Sequence, residues 1–466
     1  MDILLVNPYS EHSLGINETT VEVPIGILSL ASFLEQDGLR VSILDAYARQ
    51  LPEAQVMEVV KKLKPKAVGI SVNIFSFLQA ISYTREIKRI SPDIIVIWGG
   101  PHPTIAWEIC LERSLADFIV LGEGELTLVE LMKNIAQKAS FNHIQGIAYR
   151  ENAKYKANSP RERIGDLDSL PMPAYHLLPE LSFYKACCRK KPFIGIVTSR
   201  GCPFNCIYCS KDVFKSKITM RSPEKIMEEI DLLVNKYKIK QIDILDDNFT
   251  MDPNRVEKLC DLIIAKNHKI CINLQSGIRA DRVNEYLIKK MKKAGVFKLA
   301  FGVETGNKEI LKSIKKQLDL DKVLEASRLA RKFGMTVIGF FMIGLPGDNE
   351  KTMQETIDFA IKMNPHLANF MMTIPFYGTE LYKRVEEKGN LLVDTKYGIS
   401  SGFYAAKAYY EMNGLKSECI IKYYKKAYKD FYSRPGKLVD ILFSIKSFSE
   451  FKWVLNTAIN TFSPRS

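Results

Sequence analysis

Ile194-Gly195-Ile196-Val197-Thr198-Ser199-Arg200-Gly201-Cys202-Pro203-Phe204-Asn205-Cys206-Ile207-Tyr208-Cys209-Ser210 joins a β-branched apolar run to three cysteines within eight positions. The run reads as a strand, and the Gly-Cys-Pro after it as the loop leaving that strand. Spacings of three and two residues let one tight loop direct three thiols at a common point. Zinc sites pair C-x2-C elements with further ligands, and no second Cys/His pair is placed here to complete one. Four-iron clusters normally take four thiolates, so three leave one iron open to another molecule. The bland alternative is a chance group of buried cysteines, which the spacing and the position after a strand oppose.

Downstream, apolar runs recur at 241–245, 270–275, 298–303, 336–342 and 369–374, with helical periods such as 222–237 and 281–294 between them. With 194–198 they make six βα repeats, which predict a partial (β/α)6 barrel of the TIM type over 191–378, its site at the C-terminal strand ends. The following 379–466 reads as a basic helical segment. Its stretch 437–462 mixes Leu, Ile, Phe and Trp with Lys, as either a helical cap or an amphipathic surface that meets a lipid or greasy substrate. Upstream, 1–140 alternates strands at 3–6, 41–44, 67–72, 94–98 and 118–121 with helices at 25–36, 53–63, 75–89 and 125–137. That is an α/β, Rossmann-like domain with a five-stranded parallel sheet. Residues 141–190 read as a small hairpin and a Pro-rich, charged linker.

Apolar side chains make up 46% and charged ones 26% of the 466 residues, the balance of a folded chain with about two to four domains. Lys plus Arg exceed Asp plus Glu by 66 to 53, which admits anionic partners such as nucleotides, phosphates or membrane headgroups. The opening Met1-Asp2-Ile3-Leu4-Leu5-Val6-Asn7-Pro8 is unlike a secretory or transit leader, so a cytoplasmic location is expected, with membrane association as an added possibility. No apolar run reaches the roughly 18 residues that span a bilayer. The nine cysteines, an odd number, fit a reducing compartment with metal chemistry better than a disulfide framework, and Cys187-Cys188 reads as inert packing or a solvent-exposed accident, the alternative being a redox sensor or a place near the site.

Cys-x3-Cys-x2-Cys after the first strand of such a barrel resembles the radical S-adenosylmethionine (radical SAM) superfamily. The resemblance implies that Cys202, Cys206 and Cys209 ligate a [4Fe-4S] cluster. Its open iron would chelate the amino and carboxylate groups of SAM, which an electron cleaves to a 5′-deoxyadenosyl radical. Tyr208 takes the aromatic position whose backbone meets adenine. Leu245-Asp246-Asp247-Asn248-Phe249 matches the motif that holds the methionine ammonium, and Arg279 and Glu304 stand where relatives meet the polar groups of SAM. Strand-end acids also cap helices, so each of these has a structural alternative. Gly344-Leu345-Pro346-Gly347 and the stretch 375–380 end the fifth and sixth strands in the family pattern, the glycines serving equally as a plain turn.

No G-x-G-x-x-G follows the first strand, so a dinucleotide site is weakly supported. The turns Gly99-Gly100 and Gly122-Glu123, with Asn7, Pro8, Gly26 and Ser71, are instead similar to the cobalamin-binding domain of the B12-dependent radical SAM class. The resemblance assigns these residues to cobalamin and reaches to about residue 380. Domains that ligate cobalt from below carry D-x-H-x-x-G after the second strand. This chain has Asp45-Ala46-Tyr47-Ala48-Arg49-Gln50, so a cobalamin without a His lower ligand is expected, the alternative being a domain that has lost cobalamin.

The resemblance implies a B12-dependent radical SAM methyltransferase acting on an unactivated carbon of a lipid-like or natural-product substrate. The alternatives are a cobalamin-using cyclase, ring-contraction or oxidation enzyme without methyl transfer, and an RNA-modifying radical SAM enzyme. The last would bring a second cysteine set and an appended RNA-binding barrel, which the sequence does not show, so nucleic acid is not expected. Expected partners are a small-molecule or lipid-like substrate, an electron donor such as flavodoxin or ferredoxin, and a peripheral membrane contact.

Overall fold

The computed structural model describes residues 1–9, 21–185, 188–399, 407–452 and 454–455. Cys187 and residues 456–462 of the C-terminal stretch lie outside them. The chain forms two compact units: Met1–Lys185 with Lys211–Lys215 and Asp394–Gly402, and Ala186–Ser210 with Ser216–Val393 and Phe403–Ser466.

In the first unit β1 (Ile3–Asn7), β2 (Val41–Asp45), β3 (Ala67–Ser71), β4 (Ile95–Gly99) and β5 (Phe118–Val120) pair in parallel, in the order β2-β1-β3-β4-β5. Alternation along the strands fills two cores. Leu4, Val6, Val68, Ile70, Val96 and Trp98 face one, and Ile3, Leu5, Ala67, Ile97, Phe118 and Val120 face the other. Burial on both faces is what a parallel sheet covered by helices requires. Those helices are Ile25–Gln36, Glu53–Leu63, Phe77–Ile90 and Glu125–Gln137. The hairpin of β6 (Ile147–Glu151) and β7 (Lys154–Ala157) does not stand apart. It continues the sheet antiparallel beyond β5, to seven strands, which is why Ile147, Ala148 and Tyr149 are buried. The stretch 159–179 has little regular structure, yet it is tied down: the Ile164 amide donates to Glu123 Oε2 (2.9 Å) and the Ala174 amide to Leu28 O (3.1 Å).

The second unit carries β8 (Phe193–Ile196), the short pair β9 (Ser199–Arg200) and β10 (Thr219–Met220), then β11 (Gln241–Ile244), β12 (Cys271–Ile278), β13 (Val296–Glu304), β14 (Thr336–Ile343) and β15 (Leu367–Met372). Six of these pair in parallel in the order β8-β11-β12-β13-β14-β15, an open barrel of consecutive strands. Local signals start the crossing helices. Ser222 accepts from the Lys225 amide ahead of Pro223 at the first helical position, and Asn349 with Thr352 forms a capping box. The helix expected from 281 begins at Glu285, because Asn284 takes extended backbone there and its side chain caps the helix by accepting from the Leu287 amide. Beyond β15 the chain is not wholly helical. Between helices Glu380–Lys388 and Ser417–Tyr432 lie β16 (Gly389–Leu391) and β17 (Tyr410–Met412), an antiparallel pair of strands too short to show a period, and helix Pro435–Ser444 follows directly.

Candidate active site

The three-cysteine loop leaves the barrel at the C-terminal end of its first strand. The β9–β10 pair closes its base, with Arg200 opposite Thr219. Gly201 turns the chain at φ +85°, a conformation L side chains rarely adopt, and its amide donates to Asp247 Oδ2 at 2.9 Å. Buried Ile207 fixes the middle of the loop, its amide donating to Ile314 O (3.1 Å) and its carbonyl accepting from the Leu381 amide (2.9 Å). The Cys209 amide donates to Cys206 O (3.2 Å), so the second and third cysteines share one tight turn. Cys202 and Cys206 are half-buried and Cys209 is exposed. Among the described residues no three His, Cys, Asp or Glu side chains converge as ligands of a single metal ion, contrary to the common point the spacing suggested. A four-iron cluster does not need that convergence, since each thiolate meets its own iron.

Glu304 ends β13 at φ +70°, beside a register shift between Gly302 and Glu304. A non-glycine residue held there carries strain that the surrounding fold must maintain. Its Oε1 accepts from Lys316 Nζ at 2.8 Å, and Lys316 Nζ lies 3.4 Å from Tyr208 Oη. Burial works against the Lys316 charge, but the Glu304 carboxylate and the Cys206 thiol outweigh it and hold its pKa above the ordinary lysine value. Burial first, then Glu304 and Cys206, push the Tyr208 hydroxyl far up, so it stays protonated. Lys316 is a residue the sequence reading missed. Within Ser313-Ile314-Lys315-Lys316-Gln317 it looks like any surface lysine of a basic chain, and only its burial beside Glu304 distinguishes it.

Arg279 stands close by but is already engaged. It makes a bidentate pair with Asp281 (2.9 and 2.7 Å), donates to Lys316 O (2.9 Å) and to Gln317 O, and stacks its guanidinium on Phe204 of the cysteine loop, 3.7 Å from the ring centroid. Asp246 is likewise turned inward, accepting from the Thr198 amide (2.6 Å), Thr198 Oγ1 (2.5 Å) and Ser199 Oγ (2.6 Å). Burial raises its pKa despite those donors. Next to it Asn248 is buried, and among the described residues its Oδ1 has no hydrogen-bond partner. A buried acceptor without a donor is costly unless a ligand or water supplies one, which marks Asn248 Oδ1 as a candidate ligand contact just beyond β11.

In the first unit the predicted residues lie at the C-terminal strand ends, where parallel sheets bind ligands. Asn7 Nδ2 donates to Asp45 Oδ1 (2.9 Å), and Asp45 also accepts from the Ala48 amide (3.0 Å) and Tyr184 Oη (2.9 Å), a network that closes the ends of β1 and β2. Burial holds the Asp45 pKa above its ordinary value. Tyr47 occupies the place of a lower-ligand histidine. Pro8 follows β1 and is buried, and Ser71 ends β3 half-buried. Gly99 ends β4. Gly100, at φ +107°, packs so close that a Cβ would meet Val72 O at 2.7 Å, a structural need. A Cβ on Gly26 or Gly122 would meet nothing within 4 Å, so neither is held by close packing, although Gly122 at φ +73° adopts a conformation that L side chains rarely take. Glu123 instead holds the 159–179 stretch.

A partial parallel barrel that opens into a three-cysteine loop, on a chain that also carries a Rossmann-like unit, defines the class of radical SAM enzymes with a B12-binding domain. Comparison with known families agrees: the radical SAM superfamily model matches residues 196–360 and the B12 binding domain model residues 13–132. An uncharacterized methyltransferase of Pyrococcus horikoshii is 33% identical over 450 residues, covering 96% of this chain and 96% of its own length. The cytidylyl-2-hydroxyethylphosphonate methyltransferase of Streptomyces wedmorensis is 28% identical, covering 83% of this chain and 82% of that protein. The solved structure of the cobalamin-dependent SAM radical enzyme OxsB with aqua-cobalamin and SAM bound shares the fold at TM-score 0.77 and 18% identity, covering 100% of this chain and 73% of that one. The chain belongs to the B12-binding-domain-containing radical SAM family, and its cofactors are a [4Fe-4S] cluster, SAM and cobalamin.

Proposed function

We propose that the chain is a cobalamin-dependent methyltransferase that adds a methyl group to an unactivated carbon of a small natural-product molecule. The observation that carries the reading is the part-buried Glu304–Lys316–Tyr208 group at the cysteine loop, on a chain whose relatives include two proteins named methyltransferases. When bound, the cluster and SAM supply a carbon-centred radical and cobalamin carries the methyl group. The protein's part is to bind, orient and exclude water. Cys202, Cys206 and Cys209 hold the cluster. Lys316 would meet the SAM carboxylate, and Glu304 and Asn248 Oδ1 would accept from its ammonium. Asp246, Asp247 and Arg279 act one step back as positioning residues, fixing the strand end and the loop. Gly26 and Gly122 give cobalamin room, with Asn7, Pro8, Ser71, Gly99, Gly100 and Glu123 shaping the strand ends around it. A low-potential donor of the flavodoxin or ferredoxin kind supplies the electron.

The reading is tested by SAM titration of the reconstituted holoenzyme. Lys316→Met should weaken SAM binding about 10- to 100-fold, the worth of a charge-assisted hydrogen bond, with the cluster spectrum intact. Unchanged SAM affinity in that variant would remove Lys316 from the site.

A further inference from the structure

The last described stretch of the chain turns its apolar side outward. On helix Pro435–Ser444, Leu438 (61% exposed), Val439, Leu442 (60%) and Phe443 (73%) occupy positions i, i+1, i+4 and i+5, one face of the helix. In the helical turns from 448, Phe448 (81%), Phe451 and Leu455 follow at i, i+3 and i+7. A folded chain rarely presents so many large apolar side chains in succession to water without a partner for them.

The polar side of the same stretch is clamped to the barrel. Asp440 pairs with Arg331 (2.7 and 3.1 Å) and with Lys437 (2.7 Å), while the buried Lys437 ammonium also donates to Pro365 O. Further along, Glu450 accepts from Arg189 Nε at 3.0 Å and from the Lys446 amide at 2.6 Å, and Cys188 Sγ meets Ser449 Oγ at 3.2 Å. Arg189, Arg331 and Pro365 each precede a barrel strand, so the clamp grips the barrel floor, opposite the end that carries the cysteine loop. Between 434 and 455 the only acids in the sequence are Asp440 and Glu450, and both are held inward. Lys446 and Lys452 remain exposed among the apolar side chains. The outward face is therefore apolar and positive.

We propose that this face seats on an anionic lipid bilayer, with Phe443, Phe448 and their neighbours entering the headgroup boundary and Lys446 and Lys452 meeting lipid phosphates. Aromatic and aliphatic side chains flanked by lysines are the composition of an interfacial anchor. The proposed contact is peripheral, and no helix among the described residues is long and apolar enough to cross a membrane. Because the face lies at the barrel floor, it serves as an anchor and not as the entrance of the substrate. The proposal is independent of the reaction the enzyme performs.

Co-sedimentation of the full-length protein with phosphatidylcholine vesicles, with and without phosphatidylglycerol, tests it. The protein should pellet with the anionic vesicles, weakly with the neutral ones, and less in high salt. Phe443→Ser with Phe448→Ser should weaken binding about tenfold or more, and Lys446→Ala with Lys452→Ala about tenfold, with melting curves and SAM binding unchanged. Absence of vesicle binding would overturn the proposal, as would binding indifferent to headgroup charge. So would a concentration-dependent dimer that the double serine variant turns monomeric while no variant binds vesicles.

Discussion

Lys316 and Arg279 differ in what their surroundings leave their charges to do. Arg279 is the cation the sequence singles out, but Asp281, two backbone carbonyls and the Phe204 ring take its guanidinium. Its planar fork is matched to those partners, so Arg279→Lys should lower stability by about 2 kcal/mol and reduce the amount of cluster retained per chain. Thermal melts and iron analysis check this, and a variant with full iron content and an unchanged melt would contradict it. Cys206→Ala should abolish the cluster's visible absorbance, whereas a retained full cluster would defeat the ligand assignment. Three cysteines at fixed spacing are legible in a sequence because the chemistry itself needs that residue type. The choice between Arg279 and Lys316 is not, since it depends on which cation finds protein partners across long sequence separations.

At the scale of elements, most of the alternation was readable. Helices Ile25–Gln36, Glu53–Leu63 and Glu125–Gln137 fall where the period places them, and all six barrel strands lie within a few residues of their apolar runs. What escaped were pieces without a period: the β16–β17 ribbon, and the attachment of β6 to β5, which depends on a partner strand and not on β6 itself. The turn after β14 shows how an element stores a titration. Asp348 accepts from the Leu345 amide (2.8 Å) and Thr352 Oγ1 (2.8 Å), closing Gly344-Leu345-Pro346-Gly347, and burial pushes its pKa up to about 6 from 3.8. A raised folded-state value means that its contribution to stability is full below 3.8 and is lost as pH rises through about 6. Asp348→Asn removes that loss, so its urea midpoint should gain on the wild type across this window and run parallel to it above. Parallel curves throughout would show that the carboxyl does not titrate there.

At the scale of the whole molecule, two units made by the same alternation of strand and helix match the models of two different families, B12 binding and radical SAM. The Rossmann-like unit was legible from period alone. Its ligand was not: without G-x-G-x-x-G or a lower-ligand histidine, only resemblance pointed to cobalamin, and the match of residues 13–132 to the B12 binding domain supports it. The C-terminal stretch was seen as either a cap or a surface for greasy partners. Its described part is a cap on one side, clamped by Asp440 and Glu450, and an apolar face on the other. The central claim, methyl transfer by way of cobalamin, is tested most directly by anaerobic incubation of the reconstituted protein with methyl-labelled SAM, hydroxocobalamin and a low-potential reductant, read by mass spectrometry and the cobalamin spectrum. The account predicts labelled methylcobalamin together with 5′-deoxyadenosine. Formation of 5′-deoxyadenosine while cobalamin neither binds nor acquires the label would contradict it.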